Sequence, residues 1–184
     1  VCRMRWLTRM SLVALFSAAL AHAASAMKLT AVDVMTSTVM QEKQSSFSGV
    51  ALRARMTSPI FIQGIEFMPT VEYWRNANSL EPFGIRTTRK DATFGVDVRY
   101  SLRSTGTKPY VGAGYALHFL ASSVHAPSLG LNGESDALVK GGFGFLGGLS
   151  FPLTQKIENF LELKYHHVPG YRQLKFNWGL AINL

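Results

Sequence analysis

Cysteine is almost absent from this 184-residue chain, which has only Cys2. That residue precedes an apolar segment that we interpret below as a removable leader, so the remaining chain has no thiol, no disulfide and no cysteine-based metal site. Long apolar runs are also missing after that segment. The nearest candidate, 139–149, contains five glycines and a lysine. Because glycine is a poor helix former, the sequence argues against a membrane-spanning helical bundle.

Acidic residues are few: 11, against 19 lysines and arginines, for a formal net charge of +8. The basic residues are scattered and form no cluster, so we do not expect nucleic-acid binding. The five histidines show no spacing typical of a metal-ligand set, and no cofactor motif is present. We therefore predict no metal, cofactor or catalytic residue. His118 is expected to be an interior residue with a hydrogen-bond partner.

The first residues have the three parts of a secretory signal peptide. An apolar, uncharged run, 10–21, follows three positive charges, and small residues then recur up to Ala26. The run is shorter than the ~20 residues that a membrane-spanning helix needs, which disfavours an N-terminal anchor. We predict a signal peptide over 1–26, with cleavage after Ala26 or, alternatively, Ala23. Met4 is a candidate initiator. The positive charges are Arg3, Arg5 and Arg9.

From residue 27 onward, apolar and polar residues alternate with a period of two, which is typical of β-strands with one apolar face. The clearest case is 173–184, where twelve residues alternate without interruption. Similar alternation marks 94–102 and 110–119, while the first strand, 28–39, is the weakest. We count eight strands, each near the ~9–11 residues needed to cross a bilayer at a tilt. The domain 27–184 is thus predicted to be all-β.

The connections between these strands alternate in length. Three short links are predicted at 57–59, 104–108 and 152–155. The other four links are predicted at 40–46, 75–91, 121–137 and 168–171, and all but the last are long. Long loops on one side and short turns on the other are typical of outer-membrane barrels. We therefore predict an eight-stranded, antiparallel, up-and-down transmembrane β-barrel.

The strands of a soluble barrel of the lipocalin type also alternate between apolar and polar residues, but their apolar face points inward. Two features of the sequence indicate an outward apolar face here. The polar face carries most of the strand glycines and charges of both signs, as the narrow interior of an eight-stranded barrel requires. The apolar face carries aromatics near the strand ends, as an interfacial girdle does. The predicted interior charge network is Arg53, Arg55, Glu66, Glu72, Asp97, Arg99, Lys140, Glu162, Lys164 and Lys175.

Two segments, 64–73 and 108–114, resemble strands of the small outer-membrane β-barrel superfamily, which includes the OmpA-type transmembrane domain and the opacity-type proteins. The end of the chain also resembles the signal that the barrel-assembly machinery reads, although Leu184 stands where a phenylalanine is usual. The residues that match this signal are Asn177, Gly179, Ile182 and Leu184. The resemblance implies a location in the outer membrane of a Gram-negative-type bacterium, and a monomer is expected.

Three functions remain open. The first is a non-enzymatic barrel with a structural or surface-interaction role. The second is a lipid A-modifying hydrolase; a 3-O-deacylase of the superfamily would place a serine two residues from a histidine such as His166, but Val168 stands there. The third is a narrow pore. We favour the first, with outer-membrane lipid and lipopolysaccharide as partners, since basic groups in 75–91 suit lipopolysaccharide phosphates.

Overall fold

A computed structural model describes residues 26–42, 46–59, 62–80, 84–103, 105–127, 130–135 and 138–184. The predicted signal peptide over 1–26 therefore lies almost wholly outside the described residues and stays a prediction. Within the described ranges, no helix is long and apolar enough to span a membrane. The strands are β1 Lys28–Gln41, β2 Phe47–Thr57, β3 Ile65–Leu80, β4 Ile85–Ser101, β5 Lys108–Ala126, β6 Leu131–Glu134, β7 Leu138–Pro152, β8 Ile157–Val168 and β9 Tyr171–Asn183.

Eight of these strands form a closed antiparallel barrel in up-and-down order, as predicted. Each pairs with its neighbour along the chain, and β1 pairs with β9, from Ala31 opposite Asn183 to Gln41 opposite Gln173. Strand β6 pairs only with the last residues of β5, from Ser123 to Ala126, so it extends beyond the barrel wall and takes no part in its closure. The short β8–β9 connection contains Gly170 with φ of 96°, a conformation that residues with a Cβ rarely adopt.

The apolar face of the strands points outward and the polar face points inward. Val34, Val50, Val96 and Phe145 are each at least half exposed on the outer wall. On the opposite parity, charged side chains such as Arg53 are almost fully buried. The strands therefore present an apolar belt to their surroundings, as a bilayer requires, and the lipocalin-type alternative does not apply.

Two predicted loops were wrong in extent. In place of a loop over 75–91, β3 continues to Leu80 and pairs with β4 from Ile85 onward. In place of a loop over 121–137, β5 continues to Ala126 and forms a hairpin with β6. Both extensions lie beyond the apolar belt, so their outward face carries no run of apolar residues, while inward residues such as Asn76 and Asp91 are polar and buried. The alternation that marks the other strands is therefore missing there.

Candidate functional site

A cluster of buried charges fills the inner half of the barrel, towards the short turns. Asp33 accepts from two arginines on β2, with Arg53 Nε at 2.9 Å and Arg55 Nε at 2.8 Å from its carboxylate oxygens. Each arginine also reaches across the lumen: Arg53 Nη1 lies 2.8 Å from Glu162, and Arg55 Nη1 lies 3.0 Å from Glu158. The cluster thus ties β1 and β2 to β8 on the opposite side.

Aromatic rings close the lumen at the same level. The fully buried ring of Phe160 lies under the guanidinium carbons of Arg53 and Arg55, at 5.0 and 5.5 Å from the ring centroid. Tyr110 holds Arg99 over its ring at 4.6 Å and donates to Glu162. Three further apolar side chains in this part of the interior are buried: Met35, Met68 and Leu146.

Two lysines bridge the middle of the barrel. Lys164 Nζ donates to both carboxylate oxygens of Asp97, at 2.8 and 2.7 Å. Lys175 Nζ donates to Glu72 at 2.6 Å. The Asp97 carboxylate lies against the backbone of Gly114, where a Cβ would collide with it. A glycine on the inward face therefore makes the space that this bridge needs.

Nine of the ten residues predicted for the interior charge network point into the barrel and form ion pairs. Lys140 lies at the outer rim, where its Nζ donates to the carbonyl oxygen of Pro169 at 2.9 Å. The ion pairs join residues that are far apart in the sequence. Arg99 pairs with Glu66 on the neighbouring strand, and Asp97 pairs across the barrel with Lys164. Several interior ionic groups lie outside the predicted network: Asp33, Asp91, Lys108 and Glu158.

Above these bridges lies a histidine pair. His118 Nδ1 is 2.8 Å from Asp91 and 3.0 Å from the Thr93 hydroxyl, so His118 is held as an interior residue with a partner. Its ring lies 4.8 Å from that of His166. His166 is 1 % exposed and lies inside the barrel. His167, the next residue, is exposed on the outer wall.

The Asp91–His118 contact resembles the acid–base half of a hydrolase site, but the rest of such a site is not beside it. His118 Nε2 has no hydrogen-bond partner among the described residues, and no serine hydroxyl bonds to this ring. The pair is also fully buried, out of reach of a lipid on the outer wall. Among the described residues, no cluster of three or more His, Cys, Asp or Glu side chains is placed to hold a metal ion.

A cavity of about 1110 Å³ opens above the histidine pair at the outer mouth. Inward-facing residues at the strand ends form its floor, among them Gln41, Trp74, Asn76 and Tyr171. The Trp74 ring is held by stacking on Phe47, with centroids 4.4 Å apart. A tall wall of β3 to β6 stands on one side of this cavity. On the other side, β8, β9 and β1 end near the floor.

The outer surface of that wall carries a basic pair. Arg75 and Lys90 are directly opposed on β3 and β4, and both are exposed. They lie on the outward parity, just beyond Tyr73 and the apolar belt. Like charges placed directly opposite each other are destabilising, so this position favours an anion between them. Arg86 lies on the same parity further out, and Arg89 lies on the inward parity. Both Arg89 and Lys90 are among the residues that line the cavity.

The fold is shared with solved outer-membrane barrels. The chain is similar to the neisserial surface protein A (NspA), with 19 % identity, a TM-score of 0.62, and coverage of 86 % of this chain and 99 % of NspA. It is also similar to Ail, the attachment invasion locus protein of Yersinia pestis, with 11 % identity, a TM-score of 0.59, and coverage of 86 % and 99 %. A third similar structure is the N-terminal β-barrel domain of Pseudomonas aeruginosa OprF. Its sequence identity is 13 % and its TM-score is 0.52, and the match covers 85 % of this chain and 98 % of the OprF domain.

No protein-family model matches the sequence, and no curated protein matches it. At the identities found, the structural similarity establishes the fold of the small outer-membrane β-barrels. The functions of those proteins do not follow from it, since one fold supports many functions.

Proposed function

We propose that this chain, which has the fold of the small outer-membrane β-barrels, is a non-enzymatic integral outer-membrane protein with a structural or surface-contact role. The observation that carries this proposal is an apolar outer wall around an interior filled by ion pairs and rings. A filled interior gives rigidity to the barrel and leaves the outer hairpins as the parts that meet other molecules.

The alternatives have less support. A pore would need a water-filled path, but Phe160 and Tyr110 are nearly inaccessible in the middle of the interior. Eight-stranded barrels have interiors just wide enough for side chains, whereas porins use ~16–18 strands. A lipid A hydrolase would need its histidine and nucleophile where lipid can reach them, and the Asp91–His118 pair is enclosed.

The proposed orientation places the β5–β6 hairpin outside the cell and the β4–β5 turn in the periplasm. Gly133 and Thr105 are both exposed and lie at these opposite ends. Gly133→Cys is expected to react with a membrane-impermeant maleimide on intact cells, because it would face the medium. Thr105→Cys is the matched control and is expected to react only after lysis. Cys2, the only native cysteine, precedes the predicted cleavage site, so the new thiol is expected to be the only one in the exported protein.

Labelling of Thr105→Cys but not Gly133→Cys on intact cells would reverse the orientation. Equal lack of labelling, with both thiols reactive after lysis, would contradict surface exposure and with it the proposed role.

We also propose lipopolysaccharide as the lipid partner of the outer wall. Arg75 and Lys90 place two positive charges side by side at the height where phosphates of the outer leaflet would lie. Below them on the same strands, the outer wall contains a groove of about 600 Å³ lined by Val71, Phe94 and Leu117. A phosphorylated, acylated lipid matches both features.

A further inference from the structure

The floor of the outer cavity is formed by residues that carry buried polar atoms without a hydrogen-bond partner within the described residues. Trp74, Asn76, Gln41 and Tyr171 line the cavity. The atoms without a partner are Trp74 Nε1, Asn76 Nδ2, Gln41 Oε1 and the Tyr171 hydroxyl, each enclosed by its neighbours. Trp74 and Asn76 are only 2 % and 8 % exposed. Buried polar groups in native proteins are nearly always hydrogen-bonded. This floor therefore has the character of a binding site for a polar molecule.

The type of these groups indicates the chemistry of the ligand. An indole N–H only donates, a carboxamide donates and accepts, and a phenol does both. Such a mixture suits hydroxyl groups, which also donate and accept, better than it suits a bare anion. The wall adds an apolar surface at Leu120, which packs against Trp74 and Phe47. Polar hydroxyls beside apolar C–H faces are the surface of a sugar ring.

Charge at the rim adds a second requirement. Arg89 lines the cavity from the inward face of β4 and forms no ion pair among the described residues. Lys90 and Lys140 also line the cavity. Lys140 lies two strands away on β7, with its Nζ 5.7 Å from the ring centroid of Tyr171. Glu42 is the one acidic side chain that lines the cavity in the described part of the chain. The excess positive charge favours a ligand that carries an acidic group.

We propose that this cavity binds an acidic saccharide, with its hydroxyls on the floor and its acidic group at Arg89. The volume of about 1110 Å³ is at the upper end of the ~300–1,000 Å³ that ligand sites usually have. This inference deepens the proposed surface-contact function and rests on it for access to the ligand in the cell. The binding itself is a property of the folded barrel and is testable apart from location.

The test is isothermal titration calorimetry on protein purified from cells expressing the whole chain and placed in phosphatidylcholine nanodiscs. The probes are 3′-sialyllactose, lactose as its uncharged match, and inorganic phosphate as a simple anion. We expect sialyllactose to bind about tenfold more tightly than either of the others. Absence of sialyllactose binding, or equal affinity for phosphate, would overturn the proposal.

Variants then separate the floor from the rim. Arg89→Gln is expected to bring the affinity for sialyllactose to within about twofold of that for lactose. Asn76→Ala is expected to weaken both sugars to a similar degree. Arg172→Gln removes the same charge at the outer end of β9, where Arg172 is exposed on the outward parity, so it is expected to change nothing. An equal loss in Arg172→Gln and Arg89→Gln would show a general charge effect and refute the site.

The same experiment keeps the two proposals apart. Saccharide binding in nanodiscs together with failed maleimide labelling on cells would remove the surface role while leaving the binding site. Labelling as expected with no saccharide binding would do the reverse. Each variant is first checked for folding by its heat-modifiable gel mobility, because a folded barrel migrates differently until it is boiled.

Discussion

At the scale of single residues, the interior is built from charges that depend on one another. Asp33 is fully buried and serves two arginines, each of which also holds a glutamate on β8. Buried ion pairs often give little net stability compared with apolar packing, but removing one partner leaves an uncompensated charge and is costly. The fold is therefore expected to be stable only when every member of this network has its partner.

Replacing Asp33 by asparagine is expected to destabilise the barrel by about 3–5 kcal/mol. The physical reason is that Arg53 and Arg55 would share two glutamates in a space that water does not reach. Urea unfolding in lipid vesicles, followed by gel mobility, measures the change. Glu134→Gln, at an exposed position on β6, is the control and is expected to have little effect. Equal stability of the two variants would contradict the importance of the network.

A second residue-scale prediction concerns the outer wall. Val96 is 50 % exposed near the middle of the apolar belt, between Pro69 and Tyr115 on the neighbouring strands. Val96→Arg would place a charge in the bilayer core and is expected to cost about 2–4 kcal/mol of folding free energy. Asn132→Arg, at an exposed position on β6 beyond the belt and opposite His125, is the control and is expected to be nearly neutral. The same vesicle unfolding assay applies, and a harmless Val96→Arg would mean that this wall does not face lipid.

At the scale of elements, the strands differ in how well the sequence specifies them. Strand β9 alternates without interruption because its outer face belongs to the apolar belt and its inner face meets the charge network. Each face therefore requires one type of residue, apolar outside and polar inside. The outer parts of β3 and β4 lie beyond the belt and lack the first constraint. The predicted loop 75–91 therefore includes Asp91, and the sequence does not predict the contact of Asp91 with His118.

The sequence also does not predict which interior charged groups form ion pairs with each other, and the reason is geometric. Parity tells which side chains point inward, but not which meet across the lumen. The pairing of Lys164 with Asp97 follows from the register of β4, β5, β7 and β8. Asp33 was missed because the alternation of the first strand is weak, and Glu158 because it lies next to a turn. Inward-facing glycines, such as Gly114, were the one sequence signal of close approach.

The assembly signal at the end of β9 remains a prediction at this scale. Asn177 and Gly179 face inward, while Ile182 and Leu184 face outward, in the phase that the signal requires. Leu184→Asp is expected to reduce the yield of folded barrel while leaving export intact, because the strand that must close against β1 would be recognised poorly. Leu184→Phe is the control and is expected to fold at least as well. The readout is the ratio of heat-modifiable to unfolded protein, and an unchanged ratio in Leu184→Asp would show that the match is accidental.

At the scale of the whole molecule, the filled lumen separates this barrel from a channel. Rings and ion pairs occupy successive levels of the interior between the inner turns and the histidine pair. In planar lipid bilayers the protein is expected to insert without stepwise single-channel conductance, because side chains of the described residues fill the interior at each of these levels. Reproducible conductance steps, absent in a preparation without protein, would contradict the closed interior and restore the pore hypothesis.

The uneven rim of the barrel has a consequence for direction. Strand β3 continues six residues beyond Trp74, a strand length of about 20 Å, whereas β8 and β9 turn at Pro169 and Gly170, beside the cavity floor. Over the described residues, the mouth is thus walled on one side and low on the other, towards the plane of the surrounding membrane. For the proposed saccharide site this predicts two routes of access. A sugar carried by a neighbouring lipid of the same cell would enter sideways, in cis, while one from another surface would come over the open top. The lateral route would need no second cell.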